Sequence, residues 1–198
     1  MADLTTYANV KSFLDLADDA HQTLLTSLVT RASDFVIAHT GRAIIDPGSG
    51  NEITEIHDGI GKSLITLRDY PVATITGMTL HSSADQTFDA TTLIAAADYY
   101  VDLPMGQILR KSGVGFGFGR KSVQVVYRPG YGETVTDVPG HVEDAVIELI
   151  ALKYRMREKL GITSDSLGDA SRSFYSPADI AGHIALLLAP LMSGVRGG

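Results

Sequence analysis

Gly59-Ile60-Gly61-Lys62-Ser63 carries the residue types of a phosphate cradle: close-spaced glycines, a lysine and a hydroxyl. A P-loop holds phosphates with backbone N–H groups and that lysine, and it needs one more glycine upstream and a helix directly after. Here Ile56 occupies the glycine position, and Leu64-Ile65-Thr66-Leu67 reads as extended. The segment is expected to be a hairpin turn, not a nucleotide site. A second run, Gly115 to Gly119, alternates glycine with Phe116 and Phe118. Dinucleotide sites set such glycines between a strand and a helix, whereas both flanks here look extended. Its two phenylalanines either tuck under a hairpin tip or meet a neighbouring protein.

His141, Glu143, Asp144 and Glu148 crowd the start of one helix. No His-x-x-x-His or Glu-x-x-His pairing supports a helical metal site. The helix dipole alone accounts for acids in a first turn. The six histidines, at 21, 39, 57, 81, 141 and 183, are scattered, and no Gly-x-Ser-x-Gly elbow presents a nucleophile. With no cysteine, disulfides, thiolate metal sites and cysteine nucleophiles are excluded. The expectation is no enzyme, no metal and no cofactor. Lys153, Arg155, Arg157 and Lys159 form the basic cluster of the chain. They are either a solvated helix end or a docking site for acidic groups, with occasional contact to DNA phosphates.

The elements that would position these residues follow from periodicity. Leu4 to Leu16 predicts a short helix capped by Thr5 or Thr6. Asp18 and Asp19 open a longer one, with Leu24, Leu25, Leu28, Ala32, Phe35 and Val36 as its apolar stripe and Gly41 as its stop. From Asp46 the period shortens. Extended runs are expected at 53–58, 64–67, 72–80, 99–103, 107–111 and 122–127, with 82–97 left unassigned. Asp137 and Pro139 then launch a long helix. Val142, Ala145, Val146, Leu149, Leu152 and Met156 share one face, and Ile147, Ile150 and Tyr154 widen it. So wide an arc needs more than one neighbour, either elements of its own fold or another subunit.

Gly161 to Ser173 has the small polar content of a mobile loop. Ser176-Pro177-Ala178-Asp179 then caps a last helix carrying Ile184, Leu187, Leu188 and Leu191, which Pro190 and the glycines should end. That helix can fold back on its own core or reach a partner. The fold class expected is α+β: a small helical bundle of two N-terminal helices, a long central helix and a short C-terminal one. A β-rich insertion, 47–133, lies between the second and third helices. The 198 residues are expected to make one domain, with 161–192 as a flexible loop and helical arm. MADLTTYANV lacks the regions of a signal peptide, and no apolar run reaches membrane-spanning length, so synthesis in a cytoplasm and no membrane partner are expected. A net charge of −7 argues against a surface that grips DNA, though not against DNA passing nearby.

Several segments, in this order, resemble the head–tail connector (adaptor) proteins of tailed bacteriophages, a family also found in prophages and gene-transfer particles. They are the two N-terminal helices ending Ala38-His39-Thr40-Gly41-Arg42, the strand entry Leu67-Arg68-Asp69-Tyr70-Pro71-Val72-Ala73-Thr74-Ile75, the Val123 to Tyr131 strand with Val138-Pro139 and its helix, and the closing ALLLAPL. About residues 82 to 120 depart from compact members. The resemblance implies a structural virion protein at the head–tail junction, a ring (commonly a dodecamer) between the portal protein and the stopper or tail-completion protein, with DNA passing through its lumen and no catalysis. On that footing the portal contacts are expected at Phe174, Tyr175, Ile184, Leu187, Leu188, Leu191, Arg155 and Arg157. The subunit interface is expected at Ile147, Ile150, Tyr154, Phe116 and Phe118. Two other classes stay open: a different neck or tail-completion protein, and a small ligand-binding or hydrolytic module that uses the β block.

Overall fold

Thr6 starts the first helix, α1 (Tyr7–Phe13), by accepting the Asn9 N–H on its hydroxyl at 3.2 Å. The computed structural model, which describes residues 2–157, 164–167, 170–173 and 177–192, makes this helix shorter than the expected span. Leu4 and Thr5 pack into the interior instead of extending it: both are buried, and the Leu4 N–H donates to the Ser33 hydroxyl at 2.9 Å. Helix α2 (Gln22–Thr40) begins three residues beyond Asp19. Asp18 takes the Ala20 N–H at 3.1 Å, a local bond that competes with helix entry. At the other end Gly41 adopts φ 64° and returns its N–H to the Ile37 carbonyl, a left-handed stop that suits glycine.

Helix α3 (Gly140–Met156) follows Pro139, and α4 (Pro177–Met192) closes the chain. Residues 1–41 and 138–198 form one compact unit, in which α1, α2 and α4 each pack on α3. The wide apolar arc is thereby covered by helices of the same chain: Val142, Ala145, Val146 and Ile150 are fully buried and Ile147 nearly so. Glu143, in the first turn of α3, accepts from the Thr5 hydroxyl at 2.8 Å and from the Asn9 amide at 2.6 Å, tying α1 to α3. Pro190 sits within the last turn of α4 instead of ending it. It has no N–H for the carbonyl four residues back, so it costs the last turn one ladder bond. The segment expected to be a loop holds a two-stranded hairpin, β7 (Ser164–Leu167) with β8 (Ala170–Ser173).

Residues 42–137 form the second unit. One sheet has the order β1-β6-β3, from β1 (Ile53–Ile60), β6 (Phe118–Pro129) and β3 (Val72–Ser82). The other has the order β2-β5-β4, from β2 (Leu64–Thr66), β5 (Gln107–Arg110) and β4 (Tyr99–Asp102). Both are antiparallel. They share one core, in which Val123, Val125, Tyr127 and Leu80 meet Ile65, Ile108, Tyr99 and Phe116. The fold is α+β, with four helices and the β block inserted between α2 and α3.

The two glycine motifs turn out to be one feature. The turn at Gly61 leads from β1 into a strand of the other sheet, so it is not a hairpin. The 115–117 segment runs against it, with the Phe116 N–H donating to the Lys62 carbonyl at 2.9 Å. A Cβ on Gly59 would strike the Gly117 carbonyl oxygen, and one on Gly115 would strike the Gly61 carbonyl oxygen. The glycines let two backbones touch, which leaves no space for a phosphate. Gly59→Ala should therefore cost about 1–3 kcal/mol through overpacking. A thermal melt of the variant equal to wild type would contradict this packing account.

Inside the β unit, Tyr127 holds a polar group together. Its hydroxyl donates to Glu55 at 2.8 Å and accepts from the Asp69 N–H at 3.2 Å. Burial pushes the Glu55 carboxyl up, but the His57 ring, the Tyr127 hydroxyl and the Arg68 N–H outweigh it and hold it below the usual carboxylate range. Stability from this carboxylate is thus present above its unfolded pKa and lost as pH falls through the lower folded value. Tyr127→Phe should destabilise by about 1–3 kcal/mol, because it leaves the half-buried Glu55 short of a donor. The companion Glu55→Gln should flatten the acid limb of the stability profile. An unchanged acid limb in Glu55→Gln would remove Glu55 as its source.

Candidate functional site

The site residues expected from the sequence are surface contacts. The C-terminal helix does not present the expected stripe: Ile184, Leu188 and Leu191 are buried in the helical unit and Leu187 is half-buried. Leu186 points outward in their place. His183 and Glu148 pair at 3.2 Å across α4 and α3. These leucines are held by the bundle because they repeat every three to four residues along a helix, the spacing that α3 also offers. Phe174 and Tyr175 lie outside the described residues.

Around the end of α3, Tyr154 is half-buried, with the His21 ring edge-on at 5.5 Å and the Arg157 guanidinium 4.1 Å over its face. Arg155 is exposed, and the Lys153 ammonium lies 6.0 Å from the Phe35 ring. Ile147 and Ile150, expected to meet another subunit, are interior. Both are covered within the helical unit of this chain. Phe116 is also interior, 2% exposed, with the Arg110 guanidinium 5.9 Å from its ring. Phe118, two residues on, faces outward because the regular strand begins only there, so Phe116 before it does not share its face.

Phe118 has company that the sequence reading missed. Phe118 is 79% exposed, Ile60 61%, Tyr100 60%, and Leu64 and Leu109 44% each. Phe118 pairs directly with Ile60, and Leu64, Leu109 and Tyr100 stand in register across β2, β5 and β4. A hollow of about 710 Å³ is lined by Leu64, Tyr100, Leu103, Pro104 and Leu109, with Asp102 as its one carboxylate. The signal was present in each strand as apolar residues at both alternating positions (Leu64-Ile65, Ile108-Leu109, Tyr99-Tyr100). A half-buried strand should be polar at one of them.

Among the described residues, no group of three His, Asp or Glu side chains could hold a metal ion, and no helix is long and apolar enough to cross a membrane. Glu143, a candidate ligand by sequence, is already engaged by Thr5 and Asn9.

Comparison with known proteins adds to this geometry. The family model described as head completion protein matches residues 3–190. Among solved structures, a chain in the neck of an empty gene transfer agent particle, computed with C6 symmetry, is 20% identical with TM-score 0.57, covering 95% of this chain and 88% of that one. A chain in the neck of the native particle, computed with C12 symmetry, is 20% identical with TM-score 0.52, covering 94% and 93%. A chain from the virion of the native gene transfer agent particle is 18% identical with TM-score 0.54, over 94% and 93%. At these identities the likeness is one of fold. No curated protein matches.

Proposed function

The chain belongs to the head completion protein family, and from that premise we propose that it is a structural virion protein of the head–tail junction. Its copies close a ring, an adaptor between the portal and the stopper or tail, and leave a conduit for DNA. The observation that carries this reading is the family match over residues 3–190. It is supported by the shared fold with chains in necks computed with C6 and C12 symmetry. The charge is consistent with a conduit: at −7 per chain, a ring accumulates negative charge with every copy, and acidic walls favour sliding over holding. Within the basic cluster at the end of α3, Lys153 and Arg155 are exposed and can meet acidic groups on the portal, or passing phosphates.

The test is imaging of the purified chain, alone and mixed with its portal. Closed rings that stack coaxially on the portal are expected. A chain that stays monomeric in both preparations, and is missing from purified particles, would end the reading. Duplex binding by the free protein should be weak and should vanish as salt rises. Tight, sequence-dependent binding, about 10⁻⁸ M or better at near-physiological salt, would instead make this a DNA-recognition protein.

A further inference from the structure

Exposed apolar side chains stand on both sheets of the β unit, on either side of one turn. Phe118 and Ile60 are cross-strand partners on the larger sheet, and Leu64, Leu109 and Tyr100 span the smaller one. A turn, Gly61-Lys62-Ser63, joins the two parts, and the Phe118 ring lies against Gly61 so closely that a Cβ there would meet it. Of the other outward positions on the same strands, Thr54, Asp58 and Thr66 are polar and exposed, and Ile56 is a further exposed apolar side chain on β1. The row is therefore a local feature, of the kind that marks an interaction site. Cations border it. Lys62 lies in the connecting turn, the Lys111 ammonium sits 4.3 Å over the Tyr100 ring, and Arg120 and Lys121 follow Phe118 and are exposed. On a chain of net charge −7, such a border selects a partner that is apolar at its centre and acidic around it.

The same chain carries that partner in its other unit. Residues 1–41 hold Asp3, Asp15, Asp18, Asp19 and Asp34 against only Lys11 and Arg31. Where α1 passes to α2, Phe13 is 54% and Leu24 40% exposed, and Asp15 and Asp18 between them are exposed as well. Asp19 is engaged within the chain, accepting from Lys11 and Tyr7 at 2.6 Å each. We infer that the row receives the α1–α2 corner of a second copy of this chain, with Phe13 seated on Leu64, Leu109 and Tyr100 and with Asp15 and Asp18 facing the bordering lysines and Arg120. Ring closure needs a heterologous interface, two different surfaces on every copy, and these two surfaces differ in charge as that requires. The inference rests on the ring reading above and names its contact.

The experiment uses full-length protein, with assembly followed by mass photometry and sedimentation across concentration and salt. Phe118→Asp and Leu109→Asp replace exposed side chains, so their melting temperatures should match wild type. Each should raise the concentration for half-assembly by about tenfold or more, as loss of a central apolar contact does. Phe13→Asp should do the same from the other side. Mixed one to one, Phe118→Asp and Phe13→Asp copies keep one intact interface between them and should form dimers that go no further. Assembly should weaken with salt, and Lys62→Glu combined with Asp18→Lys should recover part of what either loses alone. Because the chain has no cysteine, a Lys62→Cys, Asp15→Cys double variant treated with a short bis-maleimide should give a ladder of multimers. Rings that form unchanged in Phe118→Asp and Leu109→Asp would overturn this interface and leave the ring reading standing. A wild-type chain that never associates and gives no ladder would overturn both. Rings that persist while the same variants lose binding to duplex DNA or to anionic phosphatidylserine vesicles would reassign the row to that ligand.

Discussion

Ile150→Asp is expected to abolish folding of the helical unit. Ile150 is fully buried, on the side of α3 where α1, α2 and α4 of the same chain pack. An aspartate there loses the apolar contact and buries a charge with no partner, which costs about 4–5 kcal/mol or more. Total stability is only about 5–15 kcal/mol for a chain of this kind. Far-UV circular dichroism and a thermal melt of the monomer should show a collapsed or absent transition. Leu186→Asp on the exposed side of α4 should melt as wild type does. An Ile150→Asp monomer that melts normally but no longer assembles would return this face to a subunit contact.

Removing residues 177–198 should have an effect of the same order. The sequence alone invites the idea that the arm can be cut off without harm, since it follows a polar segment. In the structure α4 delivers Ile184, Leu188 and Leu191 to the interior, and each buried aliphatic side chain contributes about 1.5–3 kcal/mol. Cutting it away also uncovers the face of α3 that it covers, and Glu148 loses its His183 partner. The truncated chain should aggregate or melt at a sharply lower temperature. Leu188→Ala in the full chain gives a graded version, about 2–5 kcal/mol. If the truncated protein stays monomeric with an unchanged melt, and only its docking to the portal fails, then α4 is a free arm and its leucines are partner contacts.

These two expectations reverse what the apolar stripes suggested, and the reason is general. A stripe records that a helix face must leave water, and it is silent on whether the covering surface belongs to the same chain. The stripes of α3 and α4 were legible, as were the Gly41 stop, the start of α3 after Pro139 and the β-rich character of 47–133. That of α2 was legible only in part, since Leu25, Ala32 and Val36 are buried but Leu24 and Phe35 are exposed and Val29 takes an inner place. These depend on local spacing and backbone chemistry, which neighbouring residues set by themselves. The hairpin formed by β7 and β8 was not legible, because Ser, Asp and Gly dominate that segment and carry no alternation of apolar residues.

The glycine motifs show the same division. Gly59, Gly61 and Gly115 announced by sequence that the backbone had to do something a Cβ would forbid. Whether a phosphate or a second stretch of backbone lay opposite depended on which distant segment folded against them, and the 115–117 strip did. Phe116 and Phe118 were equivalent as sequence, two aromatics in a glycine run. Strand register sent one inward and the other outward, because side chains two places apart share a face only while the strand is regular, and β6 begins between them. The exposed row through Phe118, Ile60, Leu64, Leu109 and Tyr100 exists in no single segment. It comes from strand pairs within each of two sheets and the turn that links them, so those pairings had to be known before it could be seen. What the sequence determined by itself was the inventory: an acidic α+β chain without thiols or a recognisable catalytic motif, whose helices need covering. Which face covers which, and which apolar residues are left over for a neighbour, was decided by long-range packing, since burial is a property of pairs of surfaces and not of residues.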